Sequence, residues 1–212
     1  MMRELIIPEG TKIILPYEKY ERYDITSLVL PKSLKEIGEG AFTDCINLQK
    51  IAFNEGLQKI GAHAFQYCSA LEELIFPSGL KQIGNCAFSG AANVKKIVFP
   101  EGLEKIGDLA FSYLDCIGKI ELPSTVTEIG SGCFQYSGDL KRVVVKGGIV
   151  GDFAFNACMN LEDVTIGPEV KKLGDLAFGN CPKLRDVVLP ENTAVSDLAF
   201  LDLNDRKVFT QR

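Results

Sequence analysis

The stretch Ile60-Gly61-Ala62-His63-Ala64-Phe65-Gln66-Tyr67-Cys68-Ser69-Ala70-Leu71-Glu72-Glu73-Leu74-Ile75-Phe76-Pro77-Ser78-Gly79-Leu80-Lys81-Gln82 decides the fold, because the chain repeats it. Versions of its opening phrase, Ile-Gly-x-x-Ala-Phe, also begin at Ile37, Ile83, Ile106, Ile129, Val150, Leu173 and Val195. Successive starts from Ile37 lie 23, 23, 23, 23, 21, 23 and 22 residues apart. A fixed period in this range predicts a solenoid, in which each repeat is one supersecondary unit stacked on its neighbours.

Within the repeat, Leu71 to Phe76 has apolar residues at its first, fourth and sixth places, and Leu74-Ile75-Phe76 reads as a short strand with Leu74 and Phe76 turned inward. Pro77 withholds a backbone donor and Ser78-Gly79 supplies a turn. Leu80 and Ile83 return the chain to the core, and Gly84 allows a tight corner. Ala64-Phe65 with Cys68 at helical spacing predicts a short helical or 3₁₀ leg facing inward. Stacked in register, the coils place Phe42, Phe65, Phe88, Phe111, Phe134, Phe155, Phe178 and Phe200 in one ladder. The residue before each ring is Ala in seven coils and Cys133 in one, as a tight fit requires. At about 4.8 Å per coil, eight coils span on the order of 40 Å.

The ends depart from the pattern. Residues 1–26 repeat the strand and turn but lack the Ala-Phe phrase, and are expected to form a degenerate N-terminal cap. The regular repeats occupy 27–200, and 201–212 are expected to be a fading last coil and tail, with a charge, Arg206, where earlier coils have Leu48 or Leu71.

The phrase Leu-x-x-Ile-x-Phe-Pro-x-Gly-Leu-x-x-Ile-Gly-x-x-Ala-Phe-x-x-Cys closely resembles the BspA-like (Treponema pallidum-type) leucine-rich repeats, over residues 28–200. The resemblance implies an α/β leucine-rich-repeat architecture: a right-handed solenoid of about eight coils with a parallel sheet on its concave side. It also implies protein binding, since relatives are commonly surface adhesins, bacterial for the most part, that contact host matrix proteins.

Composition narrows the function classes. A net charge of −5 on 212 residues is mild and mixed, so nucleic acid is not an expected partner. No run approaches the roughly 20 apolar residues that cross a bilayer, so membrane insertion is not expected. The start, Met1 to Glu9, has an apolar run of three residues against roughly 7–15 in a secretory signal. With an odd number of cysteines, seven, this points to the cytoplasm; were the chain a fragment, the cell surface or secretion would be the alternative.

Four cysteines, Cys45, Cys68, Cys158 and Cys181, share a position that elsewhere holds Ala91, Leu114, Ser137 and Leu203, which reads as buried packing. Disulfides between stacked neighbours, Cys45 with Cys68 and Cys158 with Cys181, are the alternative. No Cys-x-x-Cys pair converges for zinc, and no metal or cofactor is expected. His63, the single histidine, occupies a variable column with Gly40, Cys86, Leu109, Gly132, Phe153, Leu176 and Leu198. Without a second histidine or a serine–acid arrangement, no catalytic residue is expected and the chain reads as a non-enzyme. Gly38-Glu39-Gly40 and Gly130-Ser131-Gly132 are corners of the repeat rather than phosphate loops.

The residues alternating with the inward ones on the strands are the candidate binding surface. Lys95, Lys96, Lys119, Lys141 and Arg142 form a basic patch over the central coils, with Glu72 and Glu73 on one side and Glu162 and Asp163 on the other. Ile75, Val98, Val144 and Val188 add an exposed β-branched stripe. The segregated charge favours an acidic protein or a polyanionic polymer as partner; with aromatics expected only at buried positions, nucleic acid is a poorer fit. The expected function is protein recognition on the concave sheet, and the alternative is a self-assembling solenoid that forms homo-oligomers without a foreign ligand.

Overall fold

A computed structural model describes residues 3–17 and 24–201 together with the backbone of 208–210. Two sets of short parallel strands alternate along the chain. The first comprises β1 (Arg3–Ile6), β3 (Ile25–Val29), β5 (Lys50–Ala52), β7 (Glu73–Ile75), β9 (Lys96–Val98), β11 (Lys119–Leu122), β15 (Val187–Leu189) and β17 (Val208–Thr210). The second comprises β2 (Ile13–Ile14), β4 (Glu36–Ile37), β6 (Lys59–Ile60), β8 (Gln82–Ile83), β10 (Lys105–Ile106), β12 (Glu128–Ile129) and β16 (Ala194–Val195). Two longer strands, β13 (Arg142–Val150) and β14 (Asp163–Leu173), run through both sets.

The second set closes into one ladder in the order β16-β14-β13-β12-β10-β8-β6-β4-β2. Each partner lies one repeat away, as with Lys59↔Gln82 and Ile60↔Ile83. The first set is split into the fragments β1-β3-β5, β7-β9, β11-β13-β14 and β15-β17. The molecule is thus a parallel β-solenoid of about eight turns, with one continuous face and one interrupted face.

The coil of 21 residues explains the long strands. Where neighbours carry Pro77, Pro100 or Pro123 and a turn, this coil has Lys146-Gly147-Gly148, and the next has Gly167-Pro168. Without a proline the backbone donors of β13 stay in the ladder. β14 pairs along it although Pro168 lies within β14 and donates nothing, and register shifts between Val145 and Gly147 and between Gly148 and Ile149 absorb the shortening.

The core is a rod. All the ladder rings from Phe42 to Phe178 are fully buried. Consecutive rings, through to Phe200, stack with centroids 5.1–5.5 Å apart and planes within 11° of parallel. Phe53, Phe76 and Phe99 form a second series that meets the first edge-on, as in Phe99 against Phe111 at 5.5 Å and 85°. Leu74 and Phe76 point inward as the alternation predicts.

The expected helical or 3₁₀ leg is absent: no helix occurs among the described residues. The Ala-Phe leg is instead a run of turns whose donors alternate between chain-local and coil-to-coil acceptors. Gln66 and Cys68 donate to the carbonyls of His63 and Phe65, while the N–H groups of His63, Phe65 and Tyr67 reach the next coil at Asn85, Ala87 and Ser89, each at 2.8 Å. Two residues per coil adopt left-handed φ to permit this. One column is Gly40, His63, Cys86, Leu109, Gly132, Phe153 and Leu176, all with φ between 53° and 60°. The other includes Asp44, Tyr67, Gly90, Tyr113, Tyr136, Ala157 and Asn180. Each non-glycine there costs about 1–2 kcal/mol, which the inter-coil bonds and the buried ring offset. Left-handed residues four apart are incompatible with a helix.

The corner glycine also differs from its reading. Gly84 has no left-handed φ; a Cβ there would stand 2.5 Å from the backbone nitrogen of Ala62. Close approach of the preceding coil, rather than a tight corner, excludes a side chain.

Candidate functional site

The interrupted face carries all eight residues singled out from the sequence. Register aligns Glu73 with Lys96, Lys119 with Arg142 and Arg142 with Asp163, so Lys96, Lys119 and Arg142 share one column. Lys95 and Lys141 share the adjoining column, with Gly118 between them. Ile75 pairs with Val98, and these two side chains are 44% and 41% exposed. Val144 is half-buried and lies next to Glu121, which separates it from Val98. Val188 on β15 is exposed as well, so the apolar stripe is a pair, a half-buried Val144 and a separate Val188.

The five cations divide by their partners. Lys119 and Lys146 both bind the Glu121 carboxylate at 2.9 Å, and together they pull its pKa down to about 2. Arg142 pairs with Asp163 at 3.3 Å, and Arg185 pairs with Glu162 at 3.2 Å and Asp163 at 3.7 Å. Lys95, Lys96 and Lys141 form no ion pair among the described residues. Exposed pairs contribute little to stability. Among the described residues of this face they leave Lys50, Lys95, Lys96 and Lys141 without an ion pair, and Lys95 and Lys96 lie beside the Ile75–Val98 pair.

The cysteines line the core. None of the seven is in a disulfide. Cys68, Cys158 and Cys181 donate their thiols to the carbonyls of Phe42, Phe134 and Phe155, the ladder rings of the preceding coil, at 3.2–3.4 Å. Burial pushes the Cys181 thiol up to about 12 and raises Cys68, Cys133 and Cys158 as well. His63 contacts Gln66 at 3.0 Å through Nδ1. No group of three or more His, Cys, Asp or Glu that could hold a metal occurs among the described residues.

Exposed aromatics are the residues that the sequence reading placed wrongly. Tyr67, Tyr113, Tyr136 and Phe153 are between 42% and 52% exposed on the turn leg, not buried, and Tyr113 stacks on Tyr136 at 5.0 Å. The signal was available. The tyrosines share their column with Asp44, Gly90 and Asn180, polar or small residues that have no place beside a Phe ladder.

A family model of the BspA type leucine rich repeat region matches six copies over residues 12–141 and 91–207. The chain belongs to this family. Solved structures agree on the fold of this BspA-type protein. A leucine-rich repeat protein from Bacteroides ovatus superposes with a TM-score of 0.68 at 23% identity over 94% of the chain, which spans 64% of that protein's length. The leucine rich repeat protein of T. pallidum gives 0.57 at 27% identity, over 85% of this chain and 77% of that one. A leucine rich cell surface protein from Faecalibacterium prausnitzii gives 0.51 at 18% identity, over 96% and 80%. No curated protein matches the sequence. Leucine-rich repeat solenoids are in general non-catalytic scaffolds for protein interaction, and no enzyme family is among the matches. No helix among the described residues is long and apolar enough to cross a membrane.

Proposed function

We propose that this BspA-type chain is a non-catalytic recognition module that binds a protein partner on its interrupted face, the concave side of a right-handed solenoid. The observation that carries the reading is the coincidence of Lys95, Lys96 and Lys141, which form no ion pair with a described residue, with the exposed Ile75–Val98 pair. Apolar contact supplies affinity and the lysines supply orientation and steering toward an acidic surface. The stacked core makes the surface rigid, so little ordering entropy is lost on binding. Host matrix proteins are one partner class; the reading holds equally for an acidic partner in the cytoplasm.

The test is binding to immobilised matrix proteins and to cell lysate, comparing wild type with a variant carrying Lys95→Glu, Lys96→Glu, Lys119→Glu and Arg142→Glu. A specific protein lost in the variant supports recognition by this face, and its source separates adhesin from intracellular scaffold. Identical captures from both baits overturn it.

One observation favours self-association as a second reading. The first coil exposes Ile6, Ile13 and Leu15 by 52–62% along the edge strands β1 and β2. Light scattering across a concentration series, with Ile6→Lys and Leu15→Lys as the dispersing variant, decides between the two.

A further inference from the structure

On the interrupted face the side-chain column Gln49, Glu72, Lys95, Gly118, Lys141, Glu162, Arg185 loses its side chain at one place, Gly118. The glycine is exposed and a Cβ built on it meets nothing within 4 Å, so neither crowding nor a left-handed φ demands glycine there. The result is an open notch with Lys95 on one side and Lys141 on the other, their Cα atoms about 10 Å apart at two strand spacings. Neither lysine makes an ion pair or a side-chain hydrogen bond to a described residue.

The backbone singles out the same place. At this position of the repeat the N–H donates to the previous coil: Lys95 to Glu72, Lys141 to Gly118, Glu162 to Lys141 and Arg185 to Glu162, at 2.9–3.0 Å. Gly118 is the exception. Its carbonyl accepts from both Lys141 and Arg142, at 3.0 and 3.2 Å, but its N–H makes no backbone hydrogen bond. It stands at the seam where β9 and β11 fail to join. Two ammonium groups on flexible stems thus flank a gap with no side chain of its own, at a residue whose N–H is bonded to no described backbone acceptor, a set of donors suited to an oxyanion.

The column also limits which oxyanion fits. Glu72 and Glu162 occupy the next places outward, with Glu73 and Asp163 beside them, so a long polyanion laid across the coils would meet carboxylates at both ends. A single negative charge avoids them. The Ile75–Val98 pair beside the lysines offers an apolar contact that an inorganic ion cannot use. We propose that the Gly118 notch receives one carboxylate side chain of an acidic, partly apolar peptide segment of the partner protein, held between Lys95 and Lys141. This rests on the recognition reading of the same face.

The probe is acetyl-Leu-Glu-Leu-amide, titrated into the ¹⁵N-labelled full chain, with the Gln-centred peptide and sodium acetate as comparisons. The Gly118 amide resonance should move and saturate with the Glu peptide, and at least about tenfold more weakly with either comparison. Lys95→Gln and Lys141→Gln should each weaken binding by about three- to tenfold, and Gly118→Glu, which fills the notch with a carboxylate and has room to fold, should abolish it. A Gly118 amide unmoved by the Glu peptide, equal response to acetate, or unchanged binding in both lysine variants would overturn the proposal. Partner capture that fails in the fourfold charge inversion but survives Gly118→Glu removes the notch and leaves the face reading standing. Capture that survives both removes the face reading itself.

Discussion

The two strand faces are built from the same repeats, yet one is a nine-strand ladder and the other is four fragments. On the continuous face the coils touch through backbone, as at Gly84, and its acids pair across coils: Glu36 with Lys59, Glu104 with Lys81, Glu128 with Lys105. On the interrupted face Lys95, Lys96 and Lys141 form no ion pair with a described residue, Ile75, Val98 and Val188 face water, and Gly118 leaves a gap. The comparison teaches that the solenoid separates its tasks. Coil register is held by the ladder, the Phe stack and the turn-leg bonds, so the interrupted face tolerates missing ladder bonds and carries residues whose contribution to stability is small.

The largest expected effect tests that division at two glycines. Gly84→Ala should destabilise the protein by about 2–4 kcal/mol in urea unfolding, because a Cβ meets the Ala62 backbone at 2.5 Å. Gly118→Ala on the other face should stay within about 0.5 kcal/mol. Equal costs would break the comparison. Next, amide hydrogen exchange should be at least about tenfold slower at Ile83 and Ile106 in the ladder than at Gly118 and Lys119 beside the seam; similar protection would mean that the seam is closed in solution. A smaller effect sharpens the account of the third leg. Ala157→Gly should stabilise by about 0.5–1 kcal/mol, since φ 56° strains alanine and not glycine. A loss of stability there would mean the left-handed turn carries no strain.

The smallest effect is electrostatic. Glu121, pinned by Lys119 and Lys146, should titrate near 2 by carboxyl NMR. Because its folded value is depressed, the pairing is complete above the ordinary carboxylate range and is lost as pH falls through about 2. Lys146→Gln should bring the midpoint back toward the ordinary range.

Much of this was legible beforehand. The period, the inward strand residues and the ring ladder follow from apolar spacing, because in a solenoid each residue's main neighbour is its own counterpart one repeat away. Alternation placed Lys96, Lys119, Arg142, Ile75, Val98 and Val144 on one face, while Lys95 and Lys141 were assigned to it from the column just before. The exposure of Tyr67, Tyr113 and Tyr136 was also there to be read from their polar column-mates.

What alternation could not give was the pairing of charges. Arg142 finds Asp163, its neighbour in the same column, but Glu121 finds Lys119 on its own strand and Lys146 in the next coil through side-chain reach rather than through column membership. The conformation of the Ala-Phe leg was equally beyond the sequence. Ala64, Phe65 and Cys68 face inward either in a helical turn or in a run of left-handed turns, so their spacing is the same for both. The choice falls to the backbone donors, which find carbonyls in the next coil at 2.8 Å. Sequence by itself thus determined the repeat, the core and the outward columns, since these depend on burial alone. The helix-free leg, the close glycine corner, the split face and the Gly118 notch were decided by tertiary structure, since each depends on where the neighbouring coil's backbone comes to lie.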